Sequence, residues 1–138
     1  MICSMKDYSN VIIPSDMIVA PEIHEIQVAW ILARHNNCII EFLKPINSYK
    51  TKTADFVMNG LIWELTELKS PTGSSKKHTI KRQFFKAKGK RQNLIIDRRR
   101  TKLEDGFLLS KISYELKQHR SIRKLLYITK NEKIGEIK

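Results

Sequence analysis

Residues 54–69 read ADFVMNGLIWELTELK, and this stretch predicts a β-hairpin. Asn59-Gly60 lies between two runs of mainly apolar residues, and it suits a tight turn because both of its central positions need positive φ. We therefore expect one strand over residues 54–58 and a returning strand over residues 61–69. Strands joined by so short a turn are antiparallel neighbours in a sheet.

The elements on either side follow from the spacing of apolar residues. A helix is predicted from Glu22 to about His35, and Asn36-Asn37 is expected to end it because Asn tolerates the left-handed conformation. The other predicted elements are a strand at 38–43, a loop at 45–53, a loop at 70–75, a helix over about 78–91, a strand at 94–97, a helix over about 104–119, a strand at 125–129 and an edge strand at 133–138.

This order predicts a mixed α/β (α+β) fold, with a central mixed sheet flanked by helices. The order αβββαβ covers residues 22–97, and residues 98–138 add a C-terminal α-β extension. Residues 1–20 are expected to be peripheral. A chain of 138 residues is long enough for one core, so a single domain over 1–138 is predicted.

The charge of the chain is unevenly distributed. Residues 1–69 hold six basic and eight acidic side chains, whereas residues 70–138 hold twenty basic and six acidic ones. A block of one sign favours a polyanionic partner. The alternatives are a solvated basic face and affinity for anionic lipid, and nucleic acid is preferred because no amphipathic membrane helix with an aromatic face is evident. The expected nucleic-acid contacts are Lys76, Lys77, Lys81, Arg82, Gln83, Arg98 and Arg100.

No apolar run approaches the roughly 18–20 residues that span a membrane, and the N-terminus shows no secretion signal. Cys3 and Cys38 fit neither a disulfide framework nor a zinc-ligand spacing. These features lead us to expect a cytoplasmic protein without a membrane partner.

Three polar residues of the hairpin could carry chemistry. Glu67 and Lys69 share one face of the returning strand, and Asp55 lies on the partner strand. Carboxylates hold Mg²⁺ or Mn²⁺, and a lysine can orient the metal-bound water or stabilise negative charge. A two-residue turn pairs Asp55 with Glu64, so a bulge or diverging strands would be needed to bring Asp55 and Glu67 onto one ion.

An acid before a β-turn, followed by Glu-x-Lys in an αβββαβ order, resembles the restriction-endonuclease-like PD-(D/E)xK nuclease core. The resemblance implies that Asp55, Glu67 and Lys69 are catalytic and that a glutamate of the first helix, Glu25 rather than Glu22, joins Asp55 and Glu67 as a metal ligand. Ala54 stands where the motif usually has proline.

Three segments, at residues 59–64, 68–73 and 93–99, are similar to the C-terminal nuclease toxin domains of contact-dependent growth inhibition proteins and to related domains of polymorphic toxins and mobile elements. This resemblance implies metal-dependent cleavage of tRNA or DNA and neutralisation by an immunity protein. The family pattern has Trp-Glu-x-Lys-Ser-Pro contiguous, whereas three additional residues here leave Glu64 and Glu67 as rivals for one role. Strand parity favours Glu67, because it shares a face with Lys69.

The expected function is therefore a metal-dependent endonuclease that uses Mg²⁺ or Mn²⁺. The alternative is a non-catalytic nucleic-acid-binding module that has kept the nuclease fold and lost its site. A regulatory or immunity-type protein is disfavoured, because inhibitors of nucleases tend to be acidic and this chain has a net charge of +12.

Overall fold

A computed structural model describes residues 8–16, 20–43, 55–68 and 92–138 of the chain. Within these ranges the elements are β1 (Val11–Ile12), α1 (Ile23–Asn36), β2 (Ile40–Phe42), β3 (Asp55–Met58), β4 (Leu61–Glu67), β5 (Asn93–Asp97), α2 (Asp105–Gln118), β6 (Lys124–Ile128) and β7 (Ile134–Glu136). The predicted helix over about 78–91 and the predicted loops at 45–53 and 70–75 lie outside the described residues.

The strands form one mixed sheet in the order β1-β2-β3-β4-β5-β6-β7, which confirms the predicted mixed α/β class. The chain divides after Ile62 into two compact units, residues 1–62 and residues 63–138. No helix of the described ranges is long and apolar enough to cross a membrane.

In the first unit, α1 begins and ends where its terminal residues satisfy backbone groups. The Glu25 carboxylate accepts a hydrogen bond from the Glu22 backbone N–H at 2.7 Å, which caps the N-terminus. Asn37 adopts φ 49° and ψ 53° and ends the helix by donating its N–H to the carbonyl of Ala33. The predicted stop at Asn36-Asn37 is confirmed.

The strands of the first unit place apolar side chains in register. β1 runs parallel to β2, and β2 runs antiparallel to β3 with Phe42 opposite Phe56. Both phenylalanines are buried, and their rings meet edge to face at 5.8 Å between centroids. β1 lies in the segment that we expected to be peripheral. A strand of two residues is too short to show an alternating pattern.

The turn between β3 and β4 has the predicted geometry. Asn59 has φ 53° and Gly60 has φ 75°, so both central residues lie in the left-handed region. This combination is the one that suits a two-residue hairpin turn, because its twist matches that of the flanking strands.

In the second unit, β4, β5 and β6 are parallel and β7 is antiparallel to β6. Parallel strands are usually covered on both faces, which explains the continuous apolar run of β5. Helix α2 packs Leu108 and Ile112 onto one face of these strands. The strand residues in that core are Leu94, Ile96, Leu125 and Tyr127, and Leu68, directly after β4, joins them.

Candidate functional site

The carboxyl ends of three parallel strands of the second unit lie at one level. Glu67 is the register partner of Asp97, and Asp97 is the register partner of Ile128. Register partners on neighbouring strands face the same side of the sheet, so Glu67 and Asp97 are adjacent acids on one face. The carboxyl ends of parallel strands are where ligands bind in open α/β sheets.

Asp97 is fully buried, and its carboxylate pairs with Arg99. Arg99 donates from Nε to Oδ1 at 2.9 Å and from Nη2 to Oδ2 at 3.0 Å, and its backbone N–H donates to Oδ1 at 3.0 Å. A fork-shaped guanidinium matches both oxygens of a carboxylate, which compensates the buried charge. Neither Asp97 nor Arg99 was a predicted site residue, although an acid that ends a buried strand is a usable signal.

Glu67 forms a second acid–arginine pair beside the first. Its side chain is 5% exposed, whereas that of Arg100 is 59% exposed. Arg100 Nη2 donates to Glu67 Oε1 at 2.7 Å, and Nε donates to Oε2. A guanidinium that is partly open to solvent can also pair with a phosphate oxygen. The site therefore combines a carboxylate that could hold a cation with an arginine that could bind a phosphate.

Arg98 does not share a surface with Arg100, contrary to the expectation that both contact nucleic acid. Its side chain is 1% exposed, and its guanidinium donates to the Thr101 carbonyl at 3.0 Å, the Leu103 carbonyl at 2.5 Å and Asp105 Oδ1 at 2.9 Å. The chain turns after β5, where the Thr101 N–H donates to the Arg98 carbonyl. The alternation of side-chain faces along β5 therefore does not extend to Arg98. Because the guanidinium of Arg98 is buried, a phosphate cannot reach it.

Asp105 links this turn to β6. The Tyr127 hydroxyl donates to Asp105 Oδ1 at 2.5 Å. This hydrogen bond, assisted by the charge of Arg98, holds the pKa of Asp105 below its ordinary value. Burial, followed by the neighbouring Asp105 carboxylate, raises the pKa of the Tyr127 phenol. Arg98, Asp105 and Tyr127 therefore form a network that positions the turn carrying Arg99 and Arg100.

The rival acids Glu64 and Glu67 face opposite sides of β4. Glu64 is buried and alternates with Thr66 and Leu68, and Leu68 packs into the core beneath α2. Glu67 lies on the other face, beside Asp97. Of these two acids of β4, Glu67 is the one at the carboxyl end of the strand.

The other predicted metal ligands, Glu25 and Asp55, belong to the first unit. Glu25 is 6% exposed, and its carboxylate caps α1. Asp55 is half-buried at the start of β3, where its carbonyl accepts the Leu43 N–H at 2.9 Å. Alternation places Asp55 on the face opposite the buried Phe56.

Several predicted residues lie outside the described ranges, and they are Lys69, Lys76, Lys77, Lys81, Arg82 and Gln83. Across residues 8–16, 20–43, 55–68 and 92–138, no three His, Cys, Asp or Glu side chains are grouped so that they could hold a metal ion. Metal binding by Glu25, Asp55 and Glu67 stays a prediction.

Known proteins resemble this chain in both sequence and fold. The family described as "Contact-dependent growth inhibition CdiA C-terminal domain" matches residues 52–134, which is more than half of the chain. A chain of the "CdiA-CT/CdiI toxin and immunity complex from Burkholderia pseudomallei" has a TM-score of 0.62 at 15% identity, over 91% of this chain and 98% of that chain. At this identity the likeness shows a common fold. No curated protein matches the sequence.

Proposed function

We propose a nuclease function on the premise that this chain belongs to the contact-dependent growth inhibition CdiA C-terminal domain family. The proposed activity is metal-dependent hydrolysis of phosphodiester bonds in tRNA or DNA by a site of the PD-(D/E)xK type. The proposed biological role is that of a toxin. Family membership and the concentration of basic residues in the second half of the chain support this proposal.

One observation carries the chemistry, namely the pairing of Glu67 with the exposed Arg100. Hydrolysis of a phosphodiester requires charge stabilisation on the phosphate oxygens and an activated water. The guanidinium of Arg100 suits the first requirement, because it can bind two phosphate oxygens at once. The carboxylate of Glu67 suits the second, through a bound cation.

A divalent ion, Mg²⁺ or Mn²⁺, is part of the proposal, and Glu67 would be its ligand in the second unit. Such an ion would supply positive charge at the phosphate and lower the pKa of a bound water. The donor chemistry of Glu67 fits this role, because Arg100 is 59% exposed and can leave the carboxylate without opening the core. Asp97 fits less well, because Arg99, which holds both of its oxygens, is 11% exposed.

The remaining roles follow from the chemistry of the side chains. Lys69 would orient the attacking water or stabilise the developing negative charge. Arg100 would exchange Glu67 for a phosphate of the substrate. Arg98 would act through the turn that it holds, since its guanidinium donates to two carbonyls of that turn.

An immunity protein is the proposed protein partner. The similar solved chain comes from a complex described as containing a toxin and its immunity protein. A strongly basic toxin of net charge +12 favours an acidic inhibitor, because complementary charge speeds association and disfavours other partners.

Cleavage assays test the proposal directly. Plasmid DNA, single-stranded DNA and total tRNA are incubated with the chain in Mg²⁺, Mn²⁺, Ca²⁺ or EDTA. We expect cleavage of at least one substrate in Mg²⁺ or Mn²⁺ and none in EDTA. Glu67→Gln is expected to lower the rate by at least about a hundredfold, since it removes a proposed metal ligand.

Glu64→Gln is the matched control, because it makes the same substitution on the same strand at an acid that faces the α2 side. It should retain cleavage, provided that thermal unfolding shows a folded protein. Equal cleavage rates of Glu67→Gln and the wild-type protein would contradict the assignment of Glu67 to the site. Salt-sensitive binding without cleavage in any metal would instead favour the non-catalytic binding module.

A further inference from the structure

A basic surface lies at one end of the strands of the second unit, and Glu67 and Asp97 lie at the other end. The turn between α2 and β6 carries Arg120 and Arg123, and Lys124 begins β6. All three side chains are exposed. Residues 116–131 contain no Asp or Glu, so this segment has no acid of its own to neutralise them. We call Arg120, Arg123 and Lys124 the distal basic surface.

The backbone fixes where this surface stands relative to the candidate site. Lys124 is the register partner of Asn93, the first residue of β5, and the backbone N–H groups of Arg123 and Lys124 both donate to the Gln92 carbonyl. Asp97 ends the same strand four residues after Asn93. At roughly 3.3 Å per strand residue, the two ends lie about 13 Å apart.

The arginines at the two ends of the strands differ in their partners. Arg98, Arg99 and Arg100 are each ion-paired with a carboxylate of this chain. In the part of the chain that the structure describes, no ion pair involves a side chain of the distal basic surface. Its charges are therefore available to an external anion.

The needs of the fold do not explain this surface. A cation in the last turn of a helix stabilises the helix dipole, and Lys117 already has that position in α2. His119 also contacts an internal acid, Glu115, with 3.7 Å between Nε2 and Oε2. Arg120, Arg123 and Lys124 lie beyond the helix, where grouping like charges costs stability unless a polyanion is bound.

We propose that the distal basic surface binds the sugar–phosphate backbone of the nucleic acid, away from the bond that is cut. This inference rests on the proposed nuclease function. A spacing of about 13 Å covers roughly four base steps along a duplex axis at 3.4 Å each. The surface therefore contacts phosphates a few nucleotides from the scissile bond, and it adds affinity without reading sequence.

Binding measurements in EDTA, where no cleavage occurs, test this inference. The affinity of the chain for labelled tRNA and duplex DNA is measured at several salt concentrations. Each phosphate contact contributes about 0.7 to 0.9 to the slope of log K against log salt. Arg120→Gln/Arg123→Gln is therefore expected to make that slope shallower by about 1.5 and to weaken binding about tenfold at low salt.

Ser110→Glu/Ser113→Glu is the matched control, because it makes the same change of two in net charge at exposed positions of α2. It should leave the slope unchanged. An equal effect of both variants would mean that net charge alone matters, and it would overturn the proposal, as would no effect of the arginine variant. Affinity for poly-L-glutamate is measured in the same way, as a probe for an acidic protein. If the arginine variant loses affinity for poly-L-glutamate but not for the nucleic acids, the proposal is also overturned.

Failure of the inference can be distinguished from failure of the proposed function. If the unchanged chain cleaves nucleic acid and the arginine variant has the same salt slope, the distal basic surface is not a contact and the nuclease function stands. If the unchanged chain neither binds nor cleaves any of the nucleic acids, both proposals are overturned.

Discussion

Three consecutive arginines follow β5, and each guanidinium has different surroundings. Arg98 is buried among backbone carbonyls, Arg99 holds the buried Asp97, and Arg100 holds Glu67 while remaining mostly exposed. Their roles differ for the same reason: the buried one maintains the turn, and the exposed one is available to a substrate. Residue type alone does not separate these roles.

Stability at low pH should report on the network below these arginines. The pKa of Asp105 is lower in the folded chain than in the unfolded chain, chiefly because Tyr127 donates a hydrogen bond to it. Its contribution to stability is therefore present above the ordinary Asp pKa of about 3.9 and is lost as the pH falls through the lower, folded value.

The measurement is the melting temperature of the unchanged chain and of Asp105→Asn between about pH 7 and about pH 3. We expect the unchanged chain to be more stable at neutral pH and the difference to shrink below about pH 4. Tyr127→Phe should raise the pKa of Asp105, which NMR titration can follow. A difference that stays constant over the whole pH range would contradict the network.

At the scale of elements, the β3–β4 turn requires a backbone that most residues avoid. Gly60 has φ 75°, and a Cβ added there would meet no atom within 4 Å. Any penalty for a side chain at this position therefore comes from the backbone conformation and not from crowding. Gly106, in the first turn of α2, has equally open surroundings.

Alanine at these two glycines should have opposite effects. Gly60→Ala is expected to lower the free energy of unfolding by about 1 kcal/mol, because a left-handed conformation is unfavourable with a Cβ. Gly106→Ala is expected to raise it by about 0.5 kcal/mol, because alanine is the better helix former. Urea denaturation measures both. A stabilising Gly60→Ala would contradict the turn assignment.

At the scale of the whole molecule, the charge asymmetry should govern how strongly nucleic acid binds. The excess of basic residues that gives the net charge of +12 lies in the second half of the chain. Within the described ranges, these basic residues include Arg100 and the distal basic surface. Neutralising phosphates releases counterions, so salt opposes binding.

The affinity for tRNA and duplex DNA is therefore expected to fall about a hundredfold or more between roughly 50 mM and roughly 200 mM salt. Fluorescence anisotropy in EDTA measures this without cleavage. A fall of less than about tenfold would mean that few phosphates are contacted, and it would contradict a nucleic-acid-binding role for the basic half.

Local structure was largely predictable from local pattern. The turn at Asn59-Gly60, the stop at Asn37 and the bounds of α1, β4, β5, α2 and β6 agree with the predictions within about two residues. These features depend on neighbours a few residues away, whose spacing and conformational preferences are written in the sequence. The strand β1 escaped prediction because its two residues show no periodicity.

The sequence by itself determined the order of the described elements from α1 to β7, the family resemblance and the face of β4 on which Glu67 lies. Only the tertiary structure decided that Glu67 meets Arg100, which is 33 residues away, and that Asp97 stands beside it. Alternation specifies the face of a side chain within its strand, but not which residue of another strand it opposes. That register is set by packing of the second unit, and the turn after β5 buries Arg98 while leaving Arg100 exposed.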